Sequence, residues 1–256
     1  MSSDSAVPLP ELIERAAAPL RAARRVCVLT GAGISAESGI PTFRDAQEGL
    51  WAQYSPLDLA TPEGFARDPE LVWRWYEWRR EMIRAARPNA GHLALVRLAQ
   101  HVPSLTLVTQ NVDGLHQRAG SPSVIEYHGN ILRDRCTVEG IVAERATASR
   151  AAPLPRCAAC GGLLRPDVVW FGETIPAQAM LQADAAAADC DAFLSIGTSS
   201  LVYPAAALAE SALRRGVPVI EVNPNPTDLS AQADVVLAGP AGSVLPALCS
   251  ALTRHT

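Results

Sequence analysis

Residues 25–35 read RVCVLTGAGIS, an apolar run rich in β-branched residues that breaks at Gly31-Ala32-Gly33 before a helix expected to begin near Ser35. A buried strand feeding a glycine loop and a helix N-terminus directs backbone N–H groups at whatever sits there, which suits a pyrophosphate. Taken alone, the same Gly-x-Gly also fits a tight turn that holds nothing. A hydride-transferring dinucleotide enzyme would carry an acidic residue at the end of a second strand, about 20 residues on. Here that region, Ile40 to Asp45, reads IPTFRD with no strand behind it, so the dehydrogenase reading weakens.

Comparable apolar runs recur at 104–109, 123–127, 167–171, 192–196, 217–222 and 233–237 and read as buried strands. Ala- and Leu-rich stretches of helical length lie between several of them, at 175–190, 203–215 and 243–254. That alternation predicts an α/β fold with a doubly wound, Rossmann-like parallel sheet. Two stretches break it. Residues 46–88 hold four of the five Trp and a helix predicted to start at Asp68-Pro69, with Asp as N-cap and Pro at the first helical position. Residues 131–165 hold Cys136, Cys157 and Cys160. The expected organisation is a Rossmann-like domain of residues 1–45, 89–130 and 166–256, with a small lobe of a helical module (46–88) and a Cys-containing, zinc-ribbon-like module (131–165).

The 256 residues are 48% hydrophobic and 19% charged, with 20 Pro and 17 Gly scattered along them, a globular balance with little room for disorder. A formal charge of −4 supplies no positive field for a phosphate backbone, so nucleic acid is not an expected partner. All 22 basic residues are Arg, which coding bias explains as well as it explains the abundant Ala. No apolar stretch reaches the roughly 18 residues of a membrane span. Asp4, Glu11 and Glu14 interrupt the N-terminal region where a secretory signal would be apolar. A cytoplasmic protein that meets no membrane is expected, and the lack of long terminal extensions predicts a monomer. Cys27, Cys190 and Cys249 lie singly in apolar segments and read as core residues, whereas Cys157-Ala-Ala-Cys160 looks like half of a metal site.

Six motifs appear in order: TGAGISAESGIPTFR from Thr30, TQNVDGLHQRAG from Thr109, EYHGN from Glu126, VVWFGE from Val168, GTSSLVYP from Gly197 and VNPNPT from Val222. Together they resemble the sirtuins, NAD-dependent protein lysine deacylases. The resemblance implies that NAD is consumed as co-substrate. The acyl oxygen attacks the nicotinamide ribose, nicotinamide leaves, and a general base helps the acyl group onto the ribose, giving free lysine and 2′-O-acyl-ADP-ribose. Of His92, His101, His116, His128 and His255, only His128 follows a predicted strand within the family's His-Gly pattern, and an imidazole suits proton transfer near neutral pH. His92 and His101 flank a helix and read as structural or surface residues.

By the same resemblance the Gly31, Ala32 and Gly33 loop would hold the pyrophosphate. Phe43 and Arg44 would close over the nicotinamide ribose, Gln110 would lie near that ribose, and Asn111 and Asp113 would line the nicotinamide pocket. Gly197, Ser199 and Asn223 would hold phosphate and adenosine ribose. Acylated lysine of a protein partner would lie as an extended chain along Val169, Phe171 and Gly172, recognition by strand addition.

Val72, Tyr76, Arg79 and Ile83 share one face of the helix that starts at Pro69, so Arg79 sits within an apolar stripe. None of Trp75, Tyr76, Met82 and Ile83, its neighbours three and four positions away, is acidic. A buried guanidinium needs an anion, either an acid from elsewhere in the lobe or a carboxylate on the substrate. Tyr76 and Arg79 match the Tyr-x-x-Arg pattern of class III sirtuins, which implies a preference for succinyl, malonyl or glutaryl lysine over acetyl lysine. The family's four zinc-binding Cys are incomplete: Glu139 stands where the fourth would be. Cys136, Glu139, Cys157 and Cys160 could bind structural zinc, or the loop could be empty with its thiols free or oxidised. An NAD-dependent deacetylase without acidic-acyl preference, a protein mono-ADP-ribosyltransferase and a non-catalytic NAD sensor remain alternatives.

Overall fold

In strand β1 (Arg25–Thr30) successive side chains enter different cores: Val26 and Val28 join one apolar cluster, Cys27 and Leu29 another. A strand that is apolar on both faces has to be covered on both, and the sheet is built around that requirement. The computed structural model describes residues 7–41, 53–145 and 154–254. In chain order they form α1 (Leu9–Ala22), β1, a 3-10 helix (Ala32–Ser38), α2 (Pro56–Leu59), α3 (Pro62–Arg67), α4 (Pro69–Ala85) and α5 (Ala90–His101). Then come β2 (Ser104–Thr109), α6 (Leu115–Ala119), β3 (Val124–Glu126), β4 (Gly129–Cys136) and β5 (Leu164–Val168). The chain continues with α7 (Ala177–Asp189), β6 (Ala192–Ile196), α8 (Ala206–Arg214), β7 (Val219–Asn223), β8 (Val235–Ala238) and α9 (Ala241–Thr253).

Six strands form a parallel sheet in the order β3-β2-β1-β6-β7-β8. Helices α1, α5 and α9 cover one face through Leu20, Leu95, Leu98, Leu245 and Leu248; α7 and α8 cover the other through Ala183, Ala187 and Leu208. The chain winds outward from β1 through β2 and β3 on one side, and from β6 through β7 and β8 on the other. The direction therefore reverses between β1 and β6, and the carboxyl ends of these two strands open the crevice in which such sheets take ligands.

A second apolar cluster joins α2, α3 and α4 to the antiparallel pair β4 and β5, with Trp73, Trp75, Tyr76, Ile131, Leu164 and Trp170 at its centre. Helix α4 starts as the sequence predicts: the Asp68 carboxylate accepts from the Leu71 N–H at 2.9 Å, with Pro69 in the first turn. The run at 167–171 is not a strand of the parallel sheet. Its strand covers Leu164–Val168 and pairs with β4, which sequence inspection did not foresee, because an apolar run records burial and not the identity of its neighbour. Among the described residues no helix is long and apolar enough to cross a membrane.

The two halves of the sheet meet through glycine. Gly33 donates to the Gly197 carbonyl at 2.8 Å, and a Cβ on Gly33 would lie 2.7 Å from the Gly197 Cα. Gly197 has φ +59°, and its own Cβ would lie 2.5 Å from the Ile34 nitrogen. We expect Gly197→Ala to lose at least about 2 kcal/mol in urea unfolding, from left-handed strain plus a clash against backbone that cannot yield. An unchanged midpoint would show that the two loops can separate freely.

Candidate active site

The carboxyl ends of β1, β2 and β6 deliver the polar side chains that line the crevice. Gly31, Ala32 and Gly33 leave β1 into the 3-10 helix; the regular helix expected near Ser35 is this shorter, tighter turn. Gln110 leaves β2 with its N–H on the Thr30 carbonyl at 2.9 Å, and its amide donates to Thr198 Oγ1 at 3.1 Å. Asn111 Nδ2 donates to the Gly31 carbonyl at 3.0 Å and to Ser35 Oγ at 3.2 Å. Asp113 is buried, accepts from Ser35 Oγ at 2.7 Å and from the Leu115 N–H at 2.8 Å, and burial pushes its pKa up. Asn223, at the end of β7, donates to the Thr198 carbonyl at 2.8 Å, and Ser199 is exposed on the same turn. Phe43 and Arg44 lie outside the described residues.

Beneath this floor lies a polar layer that sequence reading missed. Thr30 Oγ1 donates to Thr109 Oγ1 at 2.8 Å, so its lone pair accepts from His116 Nε2 at 3.0 Å. His116 Nε2 therefore carries the proton, and its Nδ1 has no partner among the described residues. The Asn89 N–H donates to His92 Nδ1 at 3.3 Å, leaving Nε2 protonated 3.5 Å from Ser35 Oγ. Burial holds both imidazoles neutral, with His92 lowered to about 4 and His116, which also faces His92, to about 3. His92 thus lies in the first turn of α5 and is fully buried, the structural one of the two roles expected of it. Its signal in the sequence was the pair Asn89 and His92, the N-cap of α5 and the residue three positions on.

His128 follows β3 and opens onto the same crevice. Its Nδ1 lies 3.1 Å from the Gln110 carbonyl, which can only accept, so the neutral ring keeps its proton on Nδ1 and leaves Nε2 with a free lone pair. Burial lowers its pKa, opposed by that hydrogen bond. One strand away, Val169 donates to the His128 carbonyl and Phe171 to the Ala60 carbonyl, each at 2.9 Å. The N–H groups of Val169 and Phe171 are thus already engaged. An added strand would have to use their carbonyls and Gly172, whose φ of +86° leaves open space around its Cα.

Arg79 is partly buried and stacks over the Trp75 ring at 4.8 Å. Burial lowers its pKa, and Tyr76 and Asp113 act against that shift. Among the described residues it makes no ion pair. The buried Tyr76 hydroxyl accepts from Trp170 Nε1 at 2.9 Å, which leaves its own proton free, and burial raises its pKa so that the proton stays.

Away from the crevice, Cys136, Cys157 and Cys160 bring their sulfurs within 4.8 Å of one another, with Cys136 and Cys160 at 3.4 Å. Two turns of equal form hold them: Gly140 donates to the Cys136 carbonyl and Gly161 to the Cys157 carbonyl, both at 3.0 Å, with φ of +68° and +72°. Three thiols on such turns are the soft donor set that a structural zinc ion takes. Glu139, expected as the fourth ligand, holds in the first turn the position of Cys160 in the second, but its carboxylate is not in the cluster. It contributes its backbone N–H to Cys136 Sγ at 3.4 Å, while its side chain is exposed, where a carboxylate keeps its hydration.

The Sir2 family profile matches residues 31–204. An NAD-dependent protein deacylase of Methylococcus capsulatus is 51% identical over 252 residues, covering 95% of this chain and 98% of the relative. One of Thermus thermophilus is 53% identical over 232 residues, covering 89% and 90%. Among solved structures, a Sir2 homologue in complex with NAD superposes with a TM-score of 0.86 at 43% identity, covering 94% of each chain. A Sir2 protein bound to a myristoylated histone peptide gives 0.77 at 34% identity, covering 96% of this chain and 98% of that one.

The metal centre has a direct test. Glu139→Ala should purify with as much zinc as the parent, whereas Cys157→Ala should lose zinc and melt at lower temperature, because metal binding is linked to folding. Metal analysis of both proteins decides, and zinc lost from Glu139→Ala would make that carboxylate a ligand.

Proposed function

Because the chain belongs to the Sir2 family and is an NAD-dependent protein deacylase, we propose that the acyl group it removes most efficiently ends in a carboxylate, as in succinyl, malonyl or glutaryl lysine. The observation that carries this reading is Arg79, a guanidinium in an aromatic setting with no ion pair among the described residues. Removing a buried charge's partner costs roughly 3 to 5 kcal/mol, so an acyl carboxylate arriving beside Arg79 gains what acetyl lacks. A planar guanidinium can receive the carboxylate through two hydrogen bonds, and the Tyr76 hydroxyl proton, left free by Trp170, can supply a third.

The residues at the switch point suit NAD: a glycine contact between Gly33 and Gly197 too close for any side chain, and amides from Gln110, Asn111 and Asn223 around it. Bound NAD would supply an electrophilic ribose carbon and, in nicotinamide, a leaving group. The protein's own part is to orient and to move a proton. His128 Nε2 is the acceptor for a ribose hydroxyl proton, since the Gln110 carbonyl fixes the opposite nitrogen as the donor. Asp113, held by Ser35 and Leu115, presents its remaining acceptor capacity to the nicotinamide carboxamide. Phe43 and Arg44 belong to the same reading as the cover of the ribose. The extended substrate lies along Val169, Phe171 and Gly172, with the segment after Ser199 on its other side, while Gly197, Ser199 and Asn223 hold the phosphate and adenosine ribose.

Two measurements test this reading. Arg79→Met should lower kcat/KM for a succinyl-lysine peptide by at least about 100-fold, the scale of a lost charged hydrogen-bond pair, while acetyl-lysine turnover changes far less. Equal losses for both peptides would remove Arg79 from the acyl pocket. The pH profile tests His128. The base must be neutral, and burial lowers its pKa, so the neutral form persists to lower pH than for a free imidazole. The acid limb of kcat/KM should therefore lie below the ordinary value of about 6.5, with full activity at neutral pH, and should vanish with most of the activity in His128→Ala. An acid limb above that value would assign the titration to another group.

A further inference from the structure

Arg79 has a neighbour in the opposite condition. Arg80 is only 1% exposed, and consecutive helical residues point about 100° apart, so it leaves α4 in a different direction. Its Nε donates to the Ile131 carbonyl at 2.5 Å, and one terminal nitrogen to the Arg133 carbonyl at 2.9 Å and Asp134 Oδ1 at 2.7 Å. The other donates to Glu77 Oε1 at 2.8 Å. Its guanidinium also lies 5.1 Å from the centre of the Trp73 ring. Three of these acceptors belong to β4, the strand that begins one residue after His128. The partner of β4, β5, leads into Trp170, which donates to Tyr76 on α4. Helix α4 is thus tied at two points to the strands that carry the candidate base and the candidate peptide segment.

We propose that Arg80 is the positioning residue for acyl selectivity. Docked on β4, it fixes the roll of α4 and hence the reach of Arg79 relative to His128. It also binds Asp134 on β4 and Glu77 on α4, which ties the helix to the strand through its side chain. Arg145 pairs with the same two acids, so both keep a partner when Arg80 is replaced. The result is an adjacent Arg pair in which Arg80 is saturated with acceptors while Arg79 has no ion pair among the described residues. This rests on the acidic-acyl reading of Arg79.

The test compares kcat/KM for succinyl- and acetyl-lysine versions of one peptide in the parent, Arg80→Met, Arg80→Lys, Glu77→Gln, Arg79→Met and the Arg79→Met/Arg80→Met double variant. Arg80→Met should lower the succinyl-to-acetyl ratio about tenfold, chiefly by raising KM for the succinyl peptide. Arg80→Lys should recover part of the ratio, because an ammonium still reaches Asp134 but lacks the planar fork. Glu77→Gln, at a carboxylate 37% exposed, should shift the ratio in the same direction by less. In the Arg79→Met background, Arg80→Met should not move the ratio further, an outcome that general loosening of the lobe would not give. A parent that prefers succinyl, with the ratio unchanged in Arg80→Lys and Glu77→Gln and in Arg80→Met if it folds, overturns the positioning role alone. A parent without succinyl preference overturns the reading of Arg79 and this proposal with it.

Discussion

The contact between Gly33 and Gly197 is the constraint on which the remaining architecture depends. Parallel strands wound outward in two directions leave a gap where the winding reverses, and here the gap is closed from below by two backbones touching without side chains. That contact brings the ends of β1 and β6 close enough for Gln110, from the end of β2, to reach across β1 to Thr198. A methyl group at either glycine would separate the loops and disperse the side chains that the crevice gathers.

Below the crevice the polar layer works by cross-linking. Thr30, Thr109, His116, Ser35, Asp113 and Asn111 form hydrogen bonds largely to one another, and burial keeps the two imidazoles uncharged. Hydrogen bonds that cross-link separate elements in this way stiffen the floor, and rigidity is what a surface needs to hold a dinucleotide in one orientation. His128 stands apart from this layer. One of its nitrogens donates to the Gln110 carbonyl and the other has no hydrogen-bond partner among the described residues, the state expected of a group that has to accept a proton.

The small lobe repeats the contrast between satisfied and unsatisfied groups. Arg80 and Arg145 lie against the Trp73 ring and grip Glu77 and Asp134, while Arg79, one residue from Arg80, has no ion pair among the described residues and lies over the Trp75 face in the fields of Tyr76 and Asp113. The three thiols sit at the far end of β4 from His128, so a metal there bears on the stability of the lobe and not on the reacting atoms.

Periodicity and local signals determined much of this from the sequence. The apolar runs of β1, β2 and β6 appear at their observed bounds, Asp68 and Pro69 mark the start of α4, and the motifs from Thr30 to Thr227 identify the family, because each of these features is carried by residues adjacent in the chain. Tertiary structure alone decided the rest. It placed the 164–168 strand against β4 rather than in the parallel sheet, buried His92 beneath the crevice, left the Glu139 carboxylate outside the cysteine cluster, and distinguished Arg79 from Arg80. The physical reason is the same in each case. Whether a charged or polar group is paired depends on partners tens of residues away, such as Asp134 for Arg80, and local spacing carries no information about which distant acceptor arrives.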